Sequence, residues 1–118
     1  MGTFEVPLEI GDIQGLRFER VDALVDTGST YTLVPRSVLR RLGVEVWERR
    51  PFQLADEREV EYDVGHAQVG LDGRRGLTVV IFGEEGVAPL LGAVTLEEFG
   101  LSLDPVRQRL IAVPGLLK

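Results

Sequence analysis

"DALVDTGSTYTLVP", residues 22–35, runs an apolar stretch into Asp26-Thr27-Gly28 and out again into a second stretch that ends at Pro35. Asp and Gly are common turn residues, so the triplet alone reads first as a turn between two strands. Its surroundings add to that. Ala23, Leu24 and Val25 lead into it, and "YTLVP" follows within a few residues as another strand. A carboxylate at position 26 therefore stands where two strands meet, close to buried surface, and Gly28 lets the backbone turn there without a Cβ clash. Asp26 is a candidate functional group.

Outward from this point the chain is written in short alternating or apolar runs separated by Gly, Asp and Pro, the pattern of β structure. "TFEVPLEI" sets Phe4, Val6, Leu8 and Ile10 against Thr3, Glu5, Pro7 and Glu9; a turn at Gly11-Asp12 leads to a second strand, "LRFERVDALV". "RSVLRRLGV" predicts a short helix with Val38, Leu39 and Leu42 inward and Gly43 as its stop. In "REVEYDVGHAQVGL" Val60, Tyr62 and Val64 share one face and Glu59, Glu61 and Asp63 the other. Asp72-Gly73 joins that strand to "LTVVIFG" as the strongest hairpin signal in the chain. "TLEEFG" predicts a brief helix capped by Thr95, with Glu97 and Glu98 in its first turn and Gly100 after it. "LSLD" and "RLIAV" form a last pair across "PVRQ". Many short strands with two short helices predict an all-β fold, a small closed β-barrel or sandwich, as one domain over residues 1–118.

Composition narrows the function. A chain of 118 residues, 44% hydrophobic and 27% charged, is expected to fold as a globular domain, and one this small gains from dimerisation. No cysteine is present, which removes disulfides, thiolate chemistry and Cys-ligated zinc. A net charge of −6 with scattered Arg pairs argues against a nucleic-acid partner. No apolar run approaches the ~20 residues of a membrane span. The start lacks the basic-then-apolar order of a signal peptide, and after Met1-Gly2 position 6 is Val rather than the Ser or Thr of a myristoylation signal. A cytoplasmic, unanchored protein is the expectation.

Two separated stretches together resemble the retroviral-type, or retropepsin-like, aspartic proteases. One is Ala23-Leu24-Val25-Asp26-Thr27-Gly28-Ser29, similar to that family's active-site loop. The other is Pro89-Leu90-Leu91-Gly92 with "AVTLEEFGLSLD" after it, similar to the family's apolar-apolar-Gly segment and the helix and strand that follow. The resemblance spans about residues 3–113 and implies a small closed β-barrel of that type. It implies that Asp26 is the catalytic carboxylate and that Thr27 hydrogen-bonds to its counterpart across the site. Gly28 would give close backbone approach. Ser29, where retroviral enzymes often carry alanine, would donate a hydrogen bond to Asp26 and favour its charged form.

The implied chemistry is peptide hydrolysis without cofactor or metal, by two carboxylates sharing a proton, one activating a water and the other polarising the scissile carbonyl. Asp12, Asp22, Asp56, Asp63, Asp72 and Asp104 lack the Thr-Gly that follows Asp26, so the pair requires a homodimer with Asp26 meeting its own copy. By position a covering hairpin, or flap, falls over "FQLADEREVEY", residues 52–62, with Leu54, Ala55, Asp56, Glu57 and Arg58 at its tip as substrate contacts. Retroviral flap tips are glycine-rich; here no glycine occurs between Gly43 and Gly65. That departure leaves a second reading, a non-proteolytic peptide-binding or regulatory module on the same fold. Pro114-Gly115 is expected to interrupt a terminal strand. His66 reads as structural, Glu57, Glu59, Glu61 and Asp63 as a solvated face rather than a metal site, and Trp47 and Phe52 as core or subsite walls.

Overall fold

Most of the alternating runs bury an apolar face against one shared core, and that core sets the topology. The structure, a computed structural model, describes residues 4–117. Thr3, the Met1-Gly2 start and Lys118 lie outside these. The elements in chain order are β1 (Glu5–Gly11), β2 (Phe18–Val25), β3 (Thr32–Pro35), α1 (Arg36–Arg41), β4 (Val46–Gln53), β5 (Glu59–Leu71), β6 (Arg74–Gly83), β7 (Leu90–Leu91), α2 (Ala93–Glu98), β8 (Leu101–Asp104) and β9 (Arg109–Ala112).

Seven strands form one sheet in the order β1-β2-β7-β3-β6-β5-β4, and β5 pairs with β1 as well, so the sheet returns on itself as a closed ring. The length of β5 makes this possible. On one side its first half pairs with β4, from Gln53↔Glu59 to Val46↔Gly65, and its later residues pair with β1, Glu9↔Gly70 to Gly11↔Gln68. The all-β expectation holds, and the alternation puts Leu8, Ile10, Ala23, Val25, Val34, Val69 and Val80 in the core. Strands β8 and β9 form a separate hairpin. β9 ends at Ala112, ahead of Pro114-Gly115.

Several boundaries differ from the sequence reading for local reasons. Leu16 and Arg17 belong to the β1–β2 turn, because both donate their N–H to the Asp12 Oδ1, at 2.8 Å each. Those bonds, Arg17's first, hold the Asp12 carboxyl below its ordinary range. The Asp72-Gly73 turn is as expected: both residues have positive φ, 55° and 78°. Helix α1 forms where expected, and its start has no local side-chain cap. Glu85, from the segment after β6, accepts from the Ser37 N–H and hydroxyl at 2.8 Å each. That pairing, the hydroxyl first, lowers the Glu85 pKa.

Thr95 is not a helix cap. Helix α2 begins two residues earlier, at Ala93, with Gly92 at the N-cap, and Thr95 is an interior, fully buried residue. Leu96 and Phe99 are buried as expected, and Gly100 ends the helix at φ 66°. Trp47 is also placed differently. It is 56% exposed, against His66 (ring centroids 4.8 Å apart), rather than in the core.

Candidate active site

Strand β7 is only two residues long, but it threads between β2 and β3, with Val25↔Leu91 on one side and Leu33↔Leu90 on the other. The two sequence motifs are thereby brought together. The Asp26 N–H donates to the Leu91 carbonyl (3.0 Å) and the Leu24 N–H to the Pro89 carbonyl (2.9 Å). Returning bonds run from the Ala93 and Val94 N–H groups to the Ser29 and Thr30 carbonyls, at 2.8 and 2.9 Å. The first amides of α2, which have no partner inside the helix, are thus satisfied by the loop that carries Asp26.

Gly92 is required by this contact. A Cβ at position 92 would stand 2.5 Å from the Tyr31 carbonyl carbon and oxygen, and backbone there has nowhere to go. Beneath it lies a chain of buried hydroxyls. Thr32 and Thr95 are joined at 2.6 Å, Thr95 and Thr78 at 2.8 Å, and Thr78 donates to the Glu98 Oε1 at 2.6 Å. The Gly92 N–H donates to the Thr32 hydroxyl (3.1 Å). Each hydroxyl has one proton, so the direction is fixed: Gly92 to Thr32 to Thr95 to Thr78 to Glu98. Nothing in the sequence pointed to Thr32 or Thr78; three threonines 63 and 17 residues apart carry no local pattern.

Above this floor is a cleft of about 570 Å³. Asp26, Gly28 and Ser29 line its base, and Leu33, Ile81 and Leu90 give apolar walls. Asp26 is the only carboxylate among the lining residues. Its Oδ1 accepts from the Gly28 N–H at 3.0 Å. The expected donation from Ser29 is absent: the Ser29 hydroxyl donates to the Tyr31 carbonyl (2.9 Å). The nearby carbonyl captures the hydroxyl within two residues, and Ser29 braces its own loop rather than bonding Asp26. Thr27 is exposed and does not line the cleft.

The hairpin foreseen over residues 52–62 is formed by β4 and β5, with its tip at residues 54–58. The Leu54 N–H donates to the Arg58 carbonyl (2.8 Å) and the Glu57 N–H to the Leu54 carbonyl (2.9 Å), with Glu57 taking the left-handed position at φ 70°. Leu54 and Ala55 line the cleft; Asp56, Glu57 and Arg58 do not. Along β4, alternate residues Glu48, Arg50 and Phe52 turn inward and are half-buried. The Phe52 ring packs edge-on against Tyr31, centroids 6.1 Å apart at 81°, so Phe52 is a cleft wall as expected. Arg50 and Tyr31, neither singled out by the sequence, complete the lining at that end. Outward-facing Arg49 bridges Glu61 (3.2 Å) and Asp63 (3.1 Å). Among the described residues no group of His, Asp and Glu is arranged to hold a metal ion, and no helix is long and apolar enough to cross a membrane.

A family model described as aspartyl protease matches residues 6–95. Among solved structures, the EIAV protease bound to an inhibitor is similar with a TM-score of 0.57 and 20% identity over 87% of this chain and 93% of that one. The retroviral protease-like domain of Ddi1 from Leishmania major gives 0.55 and 18%, covering 92% and 88% of the two chains. A retropepsin-like aspartic protease from Rickettsia conorii gives 0.52 and 17%, covering 87% and 86%. At such identities the likeness is one of fold. No curated protein matches the sequence.

Proposed function

The chain belongs to the aspartyl protease family, and from that premise we propose that it is a cytoplasmic, homodimeric endopeptidase that cleaves peptide bonds with a water held between two copies of Asp26. One observation carries the reading: the cleft, built of apolar walls under a hairpin, contains a single carboxylate. The hydrolysis of an aspartyl protease, which forms no covalent intermediate, uses two, one as base toward the water and one, protonated, toward the carbonyl. A two-fold axis beside Asp26 supplies the second. Carboxylates ~3 Å apart resist ionising together, which is how one stays protonated while its twin acts as base. One domain per protomer suffices, with Thr27 free to reach its counterpart and Leu54 to Arg58 as the covering tip.

The test compares the protein with Asp26→Asn on a diverse peptide pool between pH 3 and 8. Cleavage by the native chain, reduced by about 10⁴-fold in the variant, supports the reading. Sedimentation as a monomer at micromolar concentration would count against it. The hairpin tip favours a second reading, a peptide-binding module: it has no glycine, and the Asp56 carboxylate clips the Arg58 guanidinium at 2.7 Å. Peptide retained by both proteins and cut by neither would select that reading.

A further inference from the structure

Arg50 differs from the other ion-paired arginines of the chain. Its side chain is 27% exposed, whereas those of Arg20, Arg41, Arg49, Arg58, Arg75 and Arg109 range from 55% to 71%. It is also the only basic residue among those lining the cleft. Its Nε–H donates to the Glu48 Oε2 at 2.8 Å and one Nη1–H reaches the Tyr31 hydroxyl at 3.4 Å. The Tyr31 and Trp47 rings lie 5.7 and 5.5 Å from its guanidinium carbon. A guanidinium has five N–H donors, so three are left. Glu48, two residues earlier on the same strand, and the two rings fix the plane of the group, which lowers the ordering cost of a further bidentate contact.

We infer that Arg50 is a specificity-determining residue that accepts a carboxylate of the bound peptide at the end of the cleft away from the hairpin tip. The inference rests on the cleft being a peptide site. Glu48 occupies only the Nε edge; it competes for the charge but leaves Nη2 and the second Nη1–H for a ligand. The spacing of extended chain, ~3.4 Å per residue, sets Arg50 roughly 13 Å from Leu54 along β4. On the proposed reading the hairpin tip covers Asp26, so a carboxylate held at Arg50 belongs to a residue flanking the cleaved bond, not to the pair that forms it. The chain as a whole carries −6 and repels acidic peptides, which makes this a preference at one position rather than for acidic sequences in general.

The test uses fluorescein-labelled nonapeptides with Leu-Phe at the centre and Glu, Gln or Lys at each flanking position in turn, with free and amidated C-termini. Binding by anisotropy and cleavage are followed in parallel. At one flanking position Glu should bind about tenfold tighter than Gln and Lys weaker than either. Arg50→Gln should erase that ratio, Arg50→Lys should keep its sign at reduced size, and Glu48→Gln should enlarge it. A preference that follows the free C-terminus in place of the Glu side chain assigns the contact to a terminal carboxylate. Equal binding of Glu and Gln peptides at every position, with either C-terminus, overturns the inference, and so does a preference that survives in Arg50→Gln. Binding reads these outcomes whether or not cleavage occurs, so absence of cleavage bears on the proteolytic reading alone.

Discussion

The segments 26–32 and 54–58 each contribute lining to the same cleft, yet they are held by opposite means. The first segment is tied to Leu91, Ala93, Val94 and Thr95, more than sixty residues away, through backbone and buried hydroxyl bonds. The second closes on itself: Leu54 bonds Arg58, Glu57 bonds Leu54, and Asp56 bonds Arg58, all within four residues. Burial differs at the anchor: Thr32 and its partner Thr95 are fully buried, whereas Ala55 through Arg58 are exposed. On the proposed reading the first segment is a catalytic floor, which must keep a carboxylate within tenths of an ångström, and the second a cover, which has to open. The difference teaches that sites needing precision draw their bonds from distant chain, and sites needing motion draw them locally.

The sharpest way to break this contrast is at Gly92. In Gly92→Ala the new methyl meets the Tyr31 backbone at 2.5 Å, and no rotamer relieves it. The change should cost about 3 kcal/mol by overpacking. It should also displace Asp26 through Leu91, so that any cleavage activity falls further than stability alone explains. Urea unfolding beside activity per folded molecule measures both. A stability within about 0.5 kcal/mol of native, where ordinary surface changes lie, would show that the floor yields.

Thr95→Val comes next. It preserves shape but cuts the hydroxyl chain in the middle, leaving the Thr32 proton without an acceptor and Thr78 without its donor. Stranding buried polar groups costs about 1–3 kcal/mol, so a loss near 2 kcal/mol is expected from denaturant midpoints. In a double-mutant cycle with Thr78→Val the losses should be less than additive, because both remove the same bond. Full additivity would mean the threonines act separately.

These residues also mark where reading the sequence succeeds and where it stops. Asp26-Thr27-Gly28 and Leu90-Leu91-Gly92 were legible because each compresses its constraint into a few adjacent residues. Strand faces were legible from alternation, and the tip at 54–58 from its place in the order of elements. The start of α2 was not, and neither were the groups that satisfy the first amides of either helix. Gly92 has no side chain with which to cap α2, and the partners of its first amides are carbonyls of Ser29 and Thr30. The Ser37 amide at the start of α1 is met by Glu85, 48 residues on. A local search for a cap therefore settles on Thr95, the nearest residue of the right type. Ser29 misled in the same way: its hydroxyl donates to the Tyr31 carbonyl, and a backbone acceptor two residues on leaves no mark in the composition. Arg50 stood among neighbouring charges, and only the pleat of β4 turns it inward and Arg49 outward.

The smallest effect is expected at the tip, and it tests the other half of the contrast. Glu57 holds φ 70°, a left-handed conformation costing a side-chain residue on the order of 1 kcal/mol. Glycine removes that strain but loses ~0.5–1 kcal/mol in chain entropy, so the two terms nearly cancel. Glu57→Gly should therefore shift the unfolding free energy by less than about 0.5 kcal/mol. Amide exchange at Leu54 and Glu57, whose protons close the turn, should quicken all the same, because the glycine tip reaches open conformations that glutamate disfavours. If a glycine-free tip restrains opening, peptide turnover should rise in this variant while the affinity of Asp26→Asn for the same peptides is unchanged by adding Glu57→Gly. A stability loss above about 2 kcal/mol would instead make the tip part of the rigid frame, and the distinction between a floor held from afar and a cover held by itself would fail.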